Sequence, residues 1–238
     1  MSTRRCLRTH SATAILVLVA CIVGAVALTG CSSLGSGGSR SGRLSSAEAT
    51  PIAQLAAVQV REYKGKRLSS IEDFRENSIK GPQVVDMSTY KLKLTGEVVT
   101  ETALTYDEVV SLPNAEKAVT LNCVEGWSAD ILWRGVRLRD VINKAGIGPK
   151  ASTVIFHGYD GYTTSLPLSF VLDRDILLAY KMNGVLLPSE RGFPFTVVAE
   201  SKFGYKWAKW VTEIELSSDP DYRGYWEQRG YDNTADFR

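Results

Sequence analysis

Two rhythms of apolar and polar side chains alternate along this chain, and neither persists for long. Tyr90-Lys91-Leu92-Lys93-Leu94 alternates apolar with polar, the period-two pattern of a half-buried strand. Residues 118–122, 153–156, 195–198 and 210–216 are short runs rich in β-branched and aromatic side chains, and they predict further strands. Helical spacing is confined to brief stretches. Thr105 followed by Glu108 is a capping-box sequence that predicts a helix through Leu112. Residues 138–145 predict another helix, stopped at Gly146. Asn183-Gly184 lies between two apolar runs and predicts a tight hairpin. Strands and short helices are mixed without regular strand–helix–strand alternation. The expected class is therefore α+β, with a mixed strand-rich core, in one domain spanning residues 52–238.

The pattern is different before residue 52. Residues 14–28 form an uncharged apolar run behind Arg4, Arg5 and Arg8. The run ends in Leu28-Thr29-Gly30-Cys31, which is similar to a bacterial lipobox, and Ser/Gly-rich chain follows at once. Residues 1–30 are expected to be a lipoprotein signal peptide, Cys31 the lipidated residue, and residues 31–51 a tether. The alternative is a plain transmembrane anchor, for which the run is slightly short. Arg4-Arg5 fits either twin-arginine export or an ordinary basic leader. The location expected is extracytoplasmic, on the membrane through the lipid on Cys31.

Removing that leader changes the charge and thiol counts. Residues 1–30 hold three of the 28 basic residues and none of the 26 acidic ones, which leaves 25 against 26. A near-neutral domain gives no electrostatic reason to expect a nucleic-acid partner. Of four cysteines, Cys6 and Cys21 leave with the leader and Cys31 carries lipid, so Cys123 is the one thiol left. No disulfide can form within such a chain. His157 is the one histidine left, which argues against a zinc site built from Cys and His.

Cys123 ends a predicted strand in Leu121-Asn122-Cys123-Val124-Glu125-Gly126-Trp127-Ser128. Three readings of it stand on the residues alone. It can be a buried free cysteine acting as a small hydrophobe. It can be a nucleophile, for which His157 is the available base. Or its thiolate can be a soft ligand for a transition metal.

Cys-Val-Glu-Gly-Trp-Ser, with Ile131-Leu132-Trp133-Arg134-Gly135-Val136 after it, resembles the molybdenum-ligating segment of the sulfite oxidase superfamily. The likeness is greatest to the bacterial branch that includes the periplasmic methionine-sulfoxide reductase catalytic subunit, and it extends from about Phe74 to Tyr231. It implies a sulfite oxidase-type molybdopterin-binding fold, a molybdenum–molybdopterin cofactor, and Cys123 as the metal ligand. A second stretch, from Arg191-Gly192-Phe193-Pro194 to Lys206-Trp207-Ala208-Lys209, resembles the family's pterin-phosphate segment. By that match Trp207, Ala208 and Lys209 line the cofactor, with Arg191 and Lys206 close by. Backbone amides and cationic side chains near a glycine turn suit a phosphate. On composition alone the two lysines would be a solvated face. The pattern departs from the sulfoxide-reductase branch at two positions. Thr196 stands where that branch has a cofactor-binding arginine, and Arg191 where it has an asparagine.

Asn77 aligns with a family asparagine that approaches the metal, although Asn also serves turns. His157-Gly158 matches a further cofactor contact, against the alternative of a histidine satisfied at a strand end. Glu125 and Trp127 are expected to shape substrate access, with Trp127 equally able to serve as core. A carboxylate two residues from the ligand would repel the sulfite dianion, so a neutral oxo-substrate such as a sulfoxide or N-oxide is expected. The chain holds no Cys-x-x-Cys-His haem sequence. Electrons are therefore expected from a membrane-bound partner. The alternatives are a sulfite-type dehydrogenase and a lipid-anchored binding domain of the same fold without catalysis.

Overall fold

The computed structural model describes residues 50–237. The expected signal peptide, Cys31 and the tether up to residue 49 lie outside the described residues. The helices are α1 (Ile52–Ala56), α2 (Tyr106–Val110), α3 (Leu138–Ile142) and α4 (Leu168–Asp173). Helices of one or two turns do not hold themselves together in water, so packing must hold them. α3 buries Leu138, Val141 and Ile142. α2 opens with the expected capping box, in which the Thr105 side chain accepts from the Glu108 amide and the Glu108 carboxylate from the Thr105 amide. It stops at Val110, short of the expected Leu112.

The strands are β1 (Glu62–Tyr63), β2 (Lys66–Arg67), β3 (Leu92–Gly96), β4 (Thr102–Leu104), β5 (Asn114–Asn122), β6 (Ser128–Arg137), β7 (Thr153–Gly158), β8 (Thr163–Pro167), β9 (Leu177–Met182), β10 (Val185–Leu186), β11 (Thr196–Val198) and β12 (Val211–Ser217). One five-stranded sheet runs β4-β3-β12-β7-β8, with β3 and β12 parallel and the other neighbours antiparallel. A second runs β10-β9-β6-β5, with β11 beside β9. The sheets share one apolar core that includes Ile131, Phe156, Leu178, Val197 and Ile214. This is the α+β arrangement expected.

β12 lies where the β-branched and aromatic run predicted a strand, and from Glu213 onward its burial alternates, with Ile214 and Leu216 buried and Glu213 and Glu215 half-buried. β6 is the longest strand and shows no such rhythm, because Ile131, Leu132 and Trp133 are consecutive buried residues. A register shift between Arg134 and Gly135 bends it against β9. There a Cβ on Gly135 would lie 2.3 Å from the Leu178 carbonyl oxygen, so only glycine allows the approach.

Asn183-Gly184 forms the expected two-residue hairpin between β9 and β10, with φ of 45° and 81°. Asn183 is nevertheless fully buried. Its Oδ1 accepts from the Leu132 amide at 3.0 Å, and its Nδ2 donates to the Ser69 carbonyl at 2.8 Å and to Gln59 Oε1 at 3.1 Å. One side chain thus ties the hairpin to β6 and to the segment leading into the cavity. Asn183→Ala leaves those groups buried without partners and should cost about 3 kcal/mol, read as a lower denaturation midpoint. A loss under about 1 kcal/mol would mean that water replaces the amide.

Candidate functional site

A cavity of about 320 Å³ opens where β5 gives way to β6, within the size range of small-molecule sites. Its walls come from the segment Phe74–Ile79, the β5–β6 turn, the turn between β7 and β8, and the chain around Arg191, Trp207 and Tyr231. Cys123 stands at the end of β5 and lines this cavity, half-buried. Its amide donates to the Trp127 carbonyl at 2.9 Å and its carbonyl accepts from Gly126 at 3.1 Å, with Gly126 at φ +85° closing the turn. The Val124 and Glu125 amides point at the sulfur, and Asn77 Nδ2 lies 3.8 Å from it. Burial pushes the thiol pKa up, and the nearby Glu125 carboxylate adds to the effect.

A nucleophile at this position would also need a base within reach. His157 does not line the cavity. It lies on β7, with Nε2 2.9 Å from Glu215 Oε2, in a half-buried group with Glu213.

Glu125 is held below the usual carboxylate range by hydrogen bonds from Asn77 and from Trp127 Nε1, the latter at 3.0 Å. Arg75 Nη1 stands 3.8 Å from the same carboxylate. Asn77 therefore touches both the sulfur and the acid. Trp127 stacks on Phe74, with ring centroids 5.9 Å apart, and the Arg191 guanidinium covers the Phe74 ring at 4.1 Å.

Arg191 is only 7% exposed. It donates from Nε to the Ile71 carbonyl at 2.9 Å and from Nη2 to the Phe74 carbonyl at 2.8 Å. Desolvation lowers its pKa, and Glu190, Glu76 and Glu72 oppose this from a distance. Among the described residues no carboxylate forms an ion pair with it. Gly192, at φ +101°, makes this packing feasible, because a Cβ there would lie 2.2 Å from Thr196 Oγ1 and 2.9 Å from Lys209 Cβ. Lys209 also lines the cavity, but its ammonium is bonded to Glu76 and sits over the Trp210 ring at 4.4 Å.

A metal–pterin bearing a phosphate meets the right chemistry in this cavity. Cys123 supplies a soft ligand. Arg191 is a buried cation without an anionic partner. Trp133 Nε1 and Ser78 Oγ belong to lining residues, are buried, and have no partner within the described protein. A ligand with acceptor edges and a negative end satisfies all three.

The structure brings Asn77, Cys123, Glu125, Trp127, Arg191, Trp207 and Lys209 to one cavity. His157, Gly158, Lys206 and Ala208 do not line it. The Ala208 carbonyl accepts from the Val197 amide at 2.9 Å, and its side chain is core. Burial lowers the Lys206 pKa, its ion-pair partner Glu227 opposes the shift, and both side chains are fully buried. Gly158 opens the turn that aims Asp160 and Tyr162 at the cavity, its amide donating to the Tyr162 carbonyl at 2.8 Å. Asp160 and Tyr162 were missed. Asp160-Gly161 between two strands was the available signal.

The family model described as an oxidoreductase molybdopterin binding domain matches residues 79–226. The chain belongs to this family. Oxidoreductase YuiH of Bacillus subtilis is 37% identical over 156 residues, covering 65% of this chain and 78% of that one. YedZ1 of Azospira oryzae, named for a protein-methionine-sulfoxide reductase subunit, is 33% identical over 147 residues, covering 62% and 56%. Rat mitochondrial sulfite oxidase is 31% identical over 188 residues, but the match spans only 34% of its length. The fold is also that of the sulfane dehydrogenase SoxCD from Paracoccus pantotrophus, with a TM-score of 0.56 over 58% of this chain and 41% of that one, at 22% identity. This chain is thus a molybdopterin-dependent oxidoreductase of the sulfite oxidase superfamily.

Gly192→Ala should lower stability by about 3 kcal/mol, through its positive φ and the contact with Thr196. Because Arg191 and Lys209 flank it, molybdenum content measured by elemental mass spectrometry should fall as well. Full molybdenum in a destabilised variant would separate the turn from the cofactor.

Proposed function

We propose that this oxidoreductase reduces neutral oxo-substrates of the sulfoxide or N-oxide type, outside the cytoplasm, with electrons from a membrane partner. The observation that carries the reading is the charge arrangement at the mouth. Glu125 is ionised two residues from Cys123, and Arg75 stands against it. The other cavity-lining cations are engaged, Lys209 by Glu76 and Arg191 by two backbone carbonyls. Among the described residues the one cavity-lining cation without a carboxylate partner is the buried Arg191, the group proposed for the cofactor phosphate, so the mouth itself suits a neutral, polarised S=O or N–O group better than a dianion such as sulfite. The methionine-sulfoxide reductase name carried by YedZ1 supports the same direction.

When bound, the molybdenum–pterin supplies two-electron oxygen-atom exchange, and the protein supplies orientation and electrostatics. Cys123 would hold the metal, with the Val124 and Glu125 amides stabilising its thiolate form. Arg191 would meet the phosphate. Asn77 orients the Glu125 carboxylate, and Trp127, stacked on Phe74, walls the approach and excludes water.

Protein from a host that makes the cofactor should carry stoichiometric molybdenum, lost in Cys123→Ser without unfolding. With reduced viologen as donor it should consume dimethyl sulfoxide or trimethylamine N-oxide faster than it oxidises sulfite with ferricyanide. Sulfite as the better substrate would overturn the direction proposed and favour the sulfite-type dehydrogenase. A folded chain without molybdenum would favour a binding role.

Attachment through a lipid on Cys31 belongs to the same proposal, supported by the Leu28-Thr29-Gly30-Cys31 sequence. Cys31→Ala should move the protein from the membrane to the soluble fraction. Retention at the membrane would point to the apolar run itself as the anchor.

A further inference from the structure

The Lys206 ammonium is fully buried and does not line the cavity. Its partners are Glu227 Oε1 at 2.5 Å and Asn233 Oδ1 at 3.1 Å. Both acceptors belong to the segment 222–237, which supplies Trp226 and Tyr231 to the cavity wall. Glu227 Oε1 also accepts from Thr164 Oγ1 of β8 at 2.6 Å, so one carboxylate oxygen joins three parts of the chain.

Other contacts seat the same strap. The Tyr225 amide donates to the Thr163 carbonyl at 2.8 Å. A Cβ on Gly224 would lie 2.3 Å from that carbonyl oxygen. The Tyr205 hydroxyl donates to the Asp232 carbonyl at 2.8 Å. Tyr225, Trp226, Tyr231 and Tyr205 then form a series with consecutive ring centroids 5.2 Å apart.

A buried ion pair is a poor source of stability, since a well-packed apolar pair does as well or better. What it adds is position, because a buried charge tolerates few placements of its partner. Glu227 Oε2 has no partner among the described residues, so the carboxylate is not placed to satisfy both of its own oxygens. The geometry instead serves Oε1, where Lys206 and Thr164 meet.

We propose that Lys206 is a positioning residue. Through Glu227 and Asn233 it sets the strap so that Trp226 and Tyr231 close one side of the cavity, and it does not itself touch the cofactor. The second clause rests on the cofactor occupying the cavity, as proposed above.

The test is limited trypsin digestion of the molybdenum-loaded full chain, cutting after Arg223 and Arg229, both exposed. Molybdenum is measured on the same samples. Lys206→Met should speed these cuts at least tenfold while molybdenum stays at the parent level, and Lys206→Arg should restore protection. Lys206→Met combined with Glu227→Leu replaces the pair by apolar side chains, should fold if the single variant does not, and should still be cut fast. Unchanged cutting in all of these overturns the proposal. Loss of molybdenum from a strap that stays protected would make Lys206 a cofactor ligand and also overturn it. A parent chain that binds no molybdenum would count against the proposed function, while the digestion still decides the role of Lys206 in the strap.

Discussion

A single buried guanidinium organises the site. Arg191 donates its hydrogen bonds to the carbonyls of Ile71 and Phe74, so it pins the segment that carries Asn77. Those carbonyls leave its positive charge uncompensated, and the Phe74 ring beneath it passes the alignment on to Trp127. Moving Arg191 would loosen the asparagine beside Cys123 and the wall beside Glu125, and would displace the one cavity-lining cation that, among the described residues, lacks a carboxylate partner. Gly192 belongs to the same constraint, because no side chain fits between Thr196 and Lys209.

The charges around the cavity divide by depth. Near the surface Arg75 and Glu125 offset one another, and Lys209 is neutralised by Glu76. Deeper, among the described residues, Arg191 has no carboxylate partner and Trp133 Nε1 has no acceptor. A ligand that is anionic at one end and polar along its edges completes the interior, while the mouth stays close to neutral. The same division separates what holds a cofactor from what selects a substrate.

Much of the fold could be read from rhythm. β3 and the Asn183-Gly184 hairpin follow directly from alternation and turn chemistry. β6 did not, because a strand covered on both faces loses its period and resembles any apolar run. The site was legible only in part. Cys123 stood out as the lone thiol, yet its residue type alone fitted three chemistries, and the family likeness separated them. Asn77, Arg191 and Lys209 line the cavity. Lys206 and His157 do not line it, and a matched position says nothing about which way a side chain points. β7 turns His157 toward Glu215, and Lys206 finds Glu227 beneath the strap. Asp160 and Tyr162 depend on a turn whose aim is set by neighbouring strands, which no local pattern contains.

The strap also orders events in time. Trp226 and Tyr231 follow every other cavity-lining residue along the chain. A ribosome therefore delivers the floor, the thiol and the cationic wall before the last wall exists. Until that wall is made, the pocket stands open on one side. A chain lacking residues 222–237 would lack Trp226 and Tyr231 and leave that side of the cavity to solvent.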